Sequence, residues 1–128
     1  MPTNSDLRIA VLPGDGIGHE IMDACITVLD KIQAKVGGYK LSYNHLRAGA
    51  EFYRETGIEI TDEDMKATGE ADAILFGAMG LPDVRLPNGT EIAPHLQMRT
   101  NYGLFAGVRP VKAYPNSPQR LADPRAAN

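Results

Sequence analysis

The sequence has little of the chemistry that marks disulfide-rich proteins. It contains one cysteine and no tryptophan among 128 residues, and aromatic side chains make up only 6% of it. Because a lone cysteine cannot form an internal disulfide, a disulfide-stapled secreted domain is excluded, and a reducing cytoplasm is the expected compartment. Cys25 falls on the apolar face of a predicted helix, which favours a buried structural thiol.

Long apolar runs and a strong excess of charge are also missing. No apolar stretch approaches the about 20 residues that cross a bilayer, and the opening MPTNSDLR lacks an apolar secretory segment. The net charge is −3 and the basic residues are scattered, which gives no electrostatic basis for binding nucleic acid. We therefore expect neither a membrane nor a nucleic acid as a partner. A hydrophobic content of 43% is enough for one modest core.

What the chain does contain is an alternation of strand and helix patterns. Apolar residues at helical spacing follow the first strand, and an apolar run, ADAILFGA, is typical of a strand covered on both faces. The order β-α-β-α-β predicts an α/β layered sheet. The predicted elements are strand 7–12, helix 21–36, strand 39–48, helix 49–57, helix 61–71 with Thr61 as its N-cap, and strand 71–78.

The first strand runs into a glycine-rich turn, LPGDGIGHE. Gly14, Gly16 and Gly18 give the spacing G-x-G-x-G, whereas the dinucleotide motif needs its third glycine one place later, where His19 stands. Asp15 also puts a negative charge into the turn, where it would repel pyrophosphate. The spacing favours a tight strand-to-helix turn over a pyrophosphate cradle.

A long loop, residues 77–94, follows the third predicted strand. Ordered loops at the carboxyl ends of strands commonly hold ligands, although a plain connector has the same composition. Beyond it, Arg99 lies in a predicted short helix and Arg109 at the end of a predicted apolar strand. Since a buried guanidinium needs an anionic partner, two such arginines indicate a site that clamps carboxylates.

Three motifs in the same order, LPGDGIGHE, GAMGLP and LQMRTNYGLFAGVRPVKAYP, resemble the isocitrate and isopropylmalate dehydrogenase family over residues 7–115. The resemblance is nearest to 3-isopropylmalate dehydrogenases, with tartrate and D-malate dehydrogenases close. It implies a layered α/β fold that is not the classical Rossmann fold. It also implies a homodimer that uses NAD and Mg²⁺ or Mn²⁺ for oxidative decarboxylation of a (2R)-hydroxy dicarboxylate, first of all 3-isopropylmalate in leucine biosynthesis.

The resemblance also implies roles for individual residues. Arg99 and Arg109 match the arginines that grip the carboxylates of the malate substrate, and Ile17 would lie near the nicotinamide nucleotide. The loop from Leu81 to Ile92 matches the segment that contacts the cofactor, with Glu91 near the nicotinamide ribose. The cofactor-binding residues implied in this loop are Leu81, Pro82, Glu91 and Ile92.

The resemblance implies that two residues contact the substituent on the substrate's third carbon. Isopropylmalate enzymes place a pair of leucines there and isocitrate enzymes serine and asparagine, whereas this sequence has His95 and Leu96. Leu96 keeps half of an apolar pocket. His95 either offers a polar group to the substrate or faces solvent on its helix. The expected order is 3-isopropylmalate, then tartrate or D-malate, with isocitrate disfavoured.

The family also implies how the chain is divided. Residues 1–105 would form the first part of a large α/β domain, and residues 106–128 would begin the crossing into a second domain. The family's catalytic residues and metal ligands come later in the chain, so we expect neither within these residues. The expectation is a fragment or truncated product that is inactive alone. Two other hypotheses stay open: a nucleotide-binding module without chemistry, and a truncated paralogue that acts as a dimerisation unit.

Overall fold

The computed structural model describes residues 5–112 and residues 114, 116, 118, 122 and 123. Strands and helices alternate in this part of the chain, as the hydrophobic pattern predicts. The elements are β1 (Ser5–Gly14), α1 (Ile17–Val36), β2 (Tyr39–His45), α2 (Ala50–Thr56), α3 (Asp62–Gly69), β3 (Ala73–Ala78) and α4 (Pro94–Asn101).

The three strands form one parallel sheet in the order β2-β1-β3. The chain leaves β1 for one side through α1, then returns past β1 through α2 and α3 to the other side. In the classical Rossmann fold the third strand pairs with the second, whereas here it pairs with the first. The prediction of an α/β layered sheet other than the classical Rossmann fold is confirmed.

The core lies on both faces of β1, because successive side chains of a strand point to opposite faces. Ile9 and Val11 pack with Met22 of α1 on one face. Ala10 and Leu12 face the other way, where α3, α4 and the segments that precede α2 and α3 pack in the same core cluster. β1 is therefore the strand that is buried from both sides.

The apolar strand β3 has a different place from the one predicted. The run ADAILFGA predicts a strand covered on both faces, but in the described structure β3 is an edge strand paired with β1 alone. Its first residue, Ala73, is exposed and the other five are only half-buried. Ile74 and Phe76 pack into one core and Leu75 into the other, which accounts for the continuous apolar run. The prediction of a fully covered strand is wrong because the central position belongs to β1.

Helix α1 has an apolar surface wider than the sheet covers. Met22 is buried and Ile26 packs beside it. Cys25, predicted to be buried, is half-buried and its thiol is free. A three-stranded sheet covers only one side of a helix this long. The apolar side chains further round the helix are between 45% and 69% exposed, namely Ile21, Val28, Ile32 and Val36.

The short helices α2, α3 and α4 follow the prediction. Thr61 accepts a hydrogen bond from the backbone N–H of Asp64 at 3.0 Å, as an N-cap should.

The predicted strand that ends at Arg109 is wrong, since residues 104–112 have no regular structure and Phe105 is 97% exposed. An apolar run forms a strand only beside another strand, and the described residues supply none there. In the whole of the described part of the chain, no helix is long and apolar enough to cross a membrane.

Candidate functional site

The loops after β1 and β3 leave the same edge of the sheet. The two strands are paired up to their last residues, where Gly14 lies opposite Ala78. Because the chain turns to opposite sides of the sheet after these strands, this edge is a topological switch point, where open α/β sheets bind ligands. The glycine turn and the loop that follows β3 therefore meet at the position most suited to a ligand.

Glycine is required in this turn by the closeness of two backbones. A Cβ added to Gly14 would overlap the carbonyl oxygen of Ala78, and one added to Gly18 or Gly77 would overlap the carbonyl oxygen of Pro13. Gly14 also has a φ of 78°, which side chains rarely allow. These glycines let the turn lie against the end of β3, in agreement with a tight strand-to-helix turn.

The carboxylate of Asp15 joins the turn to two other segments. It is 2% exposed and accepts hydrogen bonds from the N–H groups of Ala50 at 2.8 Å, Glu51 at 2.7 Å and Gly80 at 2.6 Å. The expectation that this charge lies in the turn where it would meet a pyrophosphate is corrected, because these three donors hold the carboxylate inside the protein. Asp15 fixes the turn, the start of α2 and the loop after β3 relative to one another.

A second carboxylate takes the place that a phosphate would need. Oε1 of Glu51 accepts the N–H of Gly16 at 2.9 Å, and Oε2 lies 2.9 Å from Nε2 of His19. The Gly16 N–H, and next His19, lower the pKa of the Glu51 carboxyl below its ordinary value. The amino end of α1 thus already holds an anion from the same chain, which argues against a pyrophosphate cradle there.

The loop after β3 forms an open pocket of about 200 Å³. Three of the residues implied in cofactor binding, Leu81, Pro82 and Glu91, line it. Arg85 links two parts of the loop. Its Nη2 lies 3.2 Å from Oε1 of Glu91, and its Nε donates to the carbonyl oxygen of Pro82 at 3.3 Å. The structure therefore brings these three residues together.

Two further residues implied in cofactor binding have opposite environments. Ile17 is exposed at the start of α1, and the preceding Gly16 lies beside the loop, since a Cβ added there would be 3.8 Å from Cδ2 of Leu81. Ile92 is 1% exposed, so its side chain is not available to a ligand. The expectation of a cofactor contact from Ile92 is corrected, because this side chain supports the loop from the protein interior.

Helix α4 carries the pair implied in reading the third carbon of the substrate. Leu96 is exposed, whereas His95 is half-buried with its ring edge against Phe76, at 5.9 Å between ring centroids. Nδ1 of His95 is buried without a hydrogen-bond partner among the described residues. His95 is therefore not the freely solvated helix residue of the simpler interpretation.

The two arginines are exposed and lie on different segments of the chain. Arg99 lies in the last turn of α4, and Arg109 lies in the irregular segment after it. Within the described residues neither guanidinium has an ion-pair partner, so both charges are accessible to an anionic ligand. In the same part of the chain no three His, Cys, Asp or Glu side chains are grouped as a metal site would require.

Sequence reasoning missed the part played by Glu51. It lies 35 residues from Gly16 along the chain, so no local pattern connects the two. The one available signal is that α2 begins after Gly49, which has no side chain for capping, and places an acid in its first turn. Such a signal suggests local capping and does not show that the carboxylate reaches another helix.

Sequence comparison gives matches along most of the chain. A family model described as isocitrate/isopropylmalate dehydrogenase matches residues 8–127. The 3-isopropylmalate dehydrogenase of Xanthomonas euvesicatoria pv. vesicatoria is 40% identical over 119 residues, which are 91% of this chain and 32% of that protein. That of Methanothermobacter thermautotrophicus is 36% identical over 112 residues, 88% of this chain and 30% of that protein. The chain spans about a third of the length of these curated relatives.

A solved structure shows the same fold. The apo crystal structure of a beta-decarboxylating dehydrogenase from Thermococcus kodakarensis is similar with a TM-score of 0.61 and 34% sequence identity. The similarity covers 77% of this chain and 27% of that one. Likeness in sequence and likeness in fold therefore point to the same group of proteins.

Proposed function

Because the chain belongs to the isocitrate/isopropylmalate dehydrogenase family, we propose that its residues serve the oxidative decarboxylation of a (2R)-hydroxy acid of the malate type, with 3-isopropylmalate of leucine biosynthesis as the first candidate. The observation that carries this proposal is the meeting of the glycine turn and the loop pocket at the carboxyl ends of β1 and β3. Sites at this edge are where α/β sheets bind their ligands.

NAD is the proposed cofactor, and the described residues suit its nicotinamide and ribose part. Leu81, Pro82 and the exposed Ile17 offer an apolar wall for a flat ring, and the accessible carboxylate of Glu91 offers acceptors for ribose hydroxyls. When bound, NAD supplies the hydride acceptor. Its phosphates would have to lie away from the amino end of α1, because Glu51 is already there.

Mg²⁺ or Mn²⁺ is proposed from the family alone. The described residues form no group of three ligating side chains, so they do not fit the ion by themselves. Oxygen ligands from carboxylates are what these hard cations prefer, and they would have to come from other residues. No chemical step of the ion is assigned to this chain.

Arg99 and Arg109 are proposed to bind the carboxylates of the substrate. A guanidinium holds a carboxylate with two parallel hydrogen bonds, which fixes orientation as well as charge. Leu96 is exposed beside Arg99 on the same helix, so it can contact the substituent on the third carbon. Tartrate or D-malate is the second candidate substrate, because His95 is only half-buried and its polar ring is a group that an isopropyl substituent cannot satisfy.

The activity is proposed for the natural protein and not for these residues alone. We propose that residues 1–105 contribute the first part of the large domain and that residues 106–128 begin the crossing to a second domain. Catalysis by a cytoplasmic homodimer would need the residues that the relatives carry beyond this stretch. The isolated 128-residue chain is therefore expected to show no turnover.

Steady-state kinetics on a panel of substrates tests the proposal. The natural protein is assayed for NADH formation with Mg²⁺ or Mn²⁺ and with 3-isopropylmalate, tartrate, D-malate or isocitrate, beside the 128-residue chain. We expect the highest kcat/KM with 3-isopropylmalate and none with the short chain. If tartrate or D-malate gives the highest kcat/KM, that acid takes the place of 3-isopropylmalate as the proposed substrate. If none of the four acids is oxidised, the proposed function is refuted.

The variant His95→Leu sharpens the choice of substrate. It restores the leucine pair, so it should raise the ratio of kcat/KM for 3-isopropylmalate to kcat/KM for tartrate. The expected change corresponds to ~1–3 kcal/mol in transition-state free energy. Asn101→Leu, which adds a leucine at the far end of the same helix, is the matched control. If both variants leave the ratio unchanged, His95 does not face the substrate.

A further inference from the structure

The helices α1 and α2 cap each other's amino ends. Each begins after a glycine, Gly16 for α1 and Gly49 for α2, and neither glycine has a side chain to accept the free N–H groups. Asp15, beside the start of α1, accepts the N–H groups of Ala50 and Glu51 in α2. Glu51 accepts the N–H of Gly16 in return. Two acidic residues thus lock the glycine turn to α2.

His19 completes this arrangement by holding the other oxygen of Glu51. With Oε1 on the Gly16 N–H and Oε2 on the ring of His19, the carboxylate is fixed at two points. Arg54 on the same helix as Glu51 adds an attractive charge. Arg47, across a small neighbouring pocket, is paired with Glu55 and so does not compete for Glu51.

The backbone N–H that Glu51 accepts belongs to Gly16, the residue before Ile17, which is one of the residues proposed to contact the cofactor. Gly16 directly precedes Ile17, whose side chain is exposed, and it lies beside Leu81 of the loop pocket. Gly16 has a φ of 54°, and without a side chain its backbone is free to take other conformations. A fixed hydrogen bond to its N–H therefore limits where Ile17 can point.

We propose that Glu51, oriented by His19, is a positioning residue for the cofactor side of the glycine turn. The inference rests on the proposed function, because it takes the cofactor to be NAD bound against Ile17 and Leu81. Glu51 does not touch the cofactor. It supplies the anion that the amino end of α1 needs, so the turn keeps its shape before the cofactor arrives and no phosphate is required there.

Kinetics on paired variants of the natural protein test the proposal. Glu51→Ala and His19→Leu remove the contacts, whereas Glu51→Gln and His19→Gln keep an acceptor for Gly16 and a donor for Glu51. We expect the first pair to raise KM for NAD about tenfold with kcat nearly unchanged, and the second pair to restore most of the affinity. Glu20→Ala, an exposed acid in the same first turn of α1, is the control and should change nothing.

Two outcomes of the kinetics overturn the proposal. A fall in kcat with KM for NAD unchanged means that the contacts only maintain folded enzyme. Equal effects of Glu51→Ala and Glu51→Gln mean that the hydrogen bond to Gly16 is not what matters. If Glu51→Ala does not fold, His19→Leu carries the same test, because His19 is exposed and its replacement leaves the core intact.

Hydrogen exchange separates this inference from the proposed function. The Gly16 amide should be protected in the wild-type protein without cofactor and should exchange at least tenfold faster in Glu51→Ala, because its hydrogen bond is lost. Unchanged exchange overturns the positioning role even in an active enzyme. A protected Gly16 in a wild-type protein that oxidises no hydroxy acid refutes the proposed function and the cofactor role together.

Discussion

Asp15 is the residue whose carboxylate joins three segments of the candidate site. Asp15→Asn replaces one carboxylate oxygen by an NH₂ group that must face backbone N–H donors, so buried hydrogen bonds are lost. We expect the free energy of unfolding to fall by about 3 kcal/mol, the range for a charged acceptor in the interior. Chemical denaturation measures it, with the exposed Asp83→Asn as the matched control. A loss no larger than that of the control would show that the three hydrogen bonds are not needed.

Glu51 should make the free energy of unfolding depend on pH in the acidic range. Its pKa is lowered in the folded protein, so its contribution is fully present above the ordinary value of 4.5 and is lost as the pH falls through the folded value. Between about pH 5 and about pH 3 the wild type should therefore lose more stability than Glu51→Gln, which cannot titrate. Denaturation curves at the two pH values give the comparison. Parallel losses in both proteins would contradict the role of the ionised carboxylate.

At the scale of elements, the local sequence pattern predicts most of the helices but does not predict the position of each strand in the sheet. The helix at Thr61 follows from its capping residue and from the acids of its first turn, which act within one turn of the chain. The position of β3 at an edge depends on the path of the chain across the sheet, which no window of sequence contains. The prediction of a strand before Arg109 is wrong for the same reason, because an apolar run forms a strand only beside a neighbouring strand.

The contact between β3 and the glycine turn is an element-level feature that a single methyl group should disrupt. In Gly77→Ala the new Cβ would overlap the carbonyl oxygen of Pro13, so backbone must move. We expect a loss of about 1–3 kcal/mol in the free energy of unfolding, as for overpacking in a core. Gly107→Ala is the control, because nothing lies within 4 Å of its added Cβ. Equal stability of the two variants would mean that the turn does not lie against β3.

At the scale of the whole molecule, the sheet topology and the buried Asp15 bring the glycine turn and the loop after β3 together at one edge of the sheet. The motif resemblance predicts cofactor contacts from Leu81, Pro82 and Glu91. The three residues belong to one loop and line one pocket, and their contact with a cofactor stays a prediction. It did not predict that Ile92 turns inward, because burial depends on contacts made from other elements. The joint action of Arg99 and Arg109 stays a prediction.

The proposed reaction is tested most directly by counting its products. The natural protein is incubated with 3-isopropylmalate, NAD and Mg²⁺, and NADH and CO₂ are measured together until the substrate is consumed. Oxidation followed by loss of a carboxylate predicts one NADH and one CO₂ for each substrate molecule, and neither product once the metal is chelated. NADH formed without CO₂, or no reaction with any malate-type hydroxy acid, would contradict an oxidative decarboxylase.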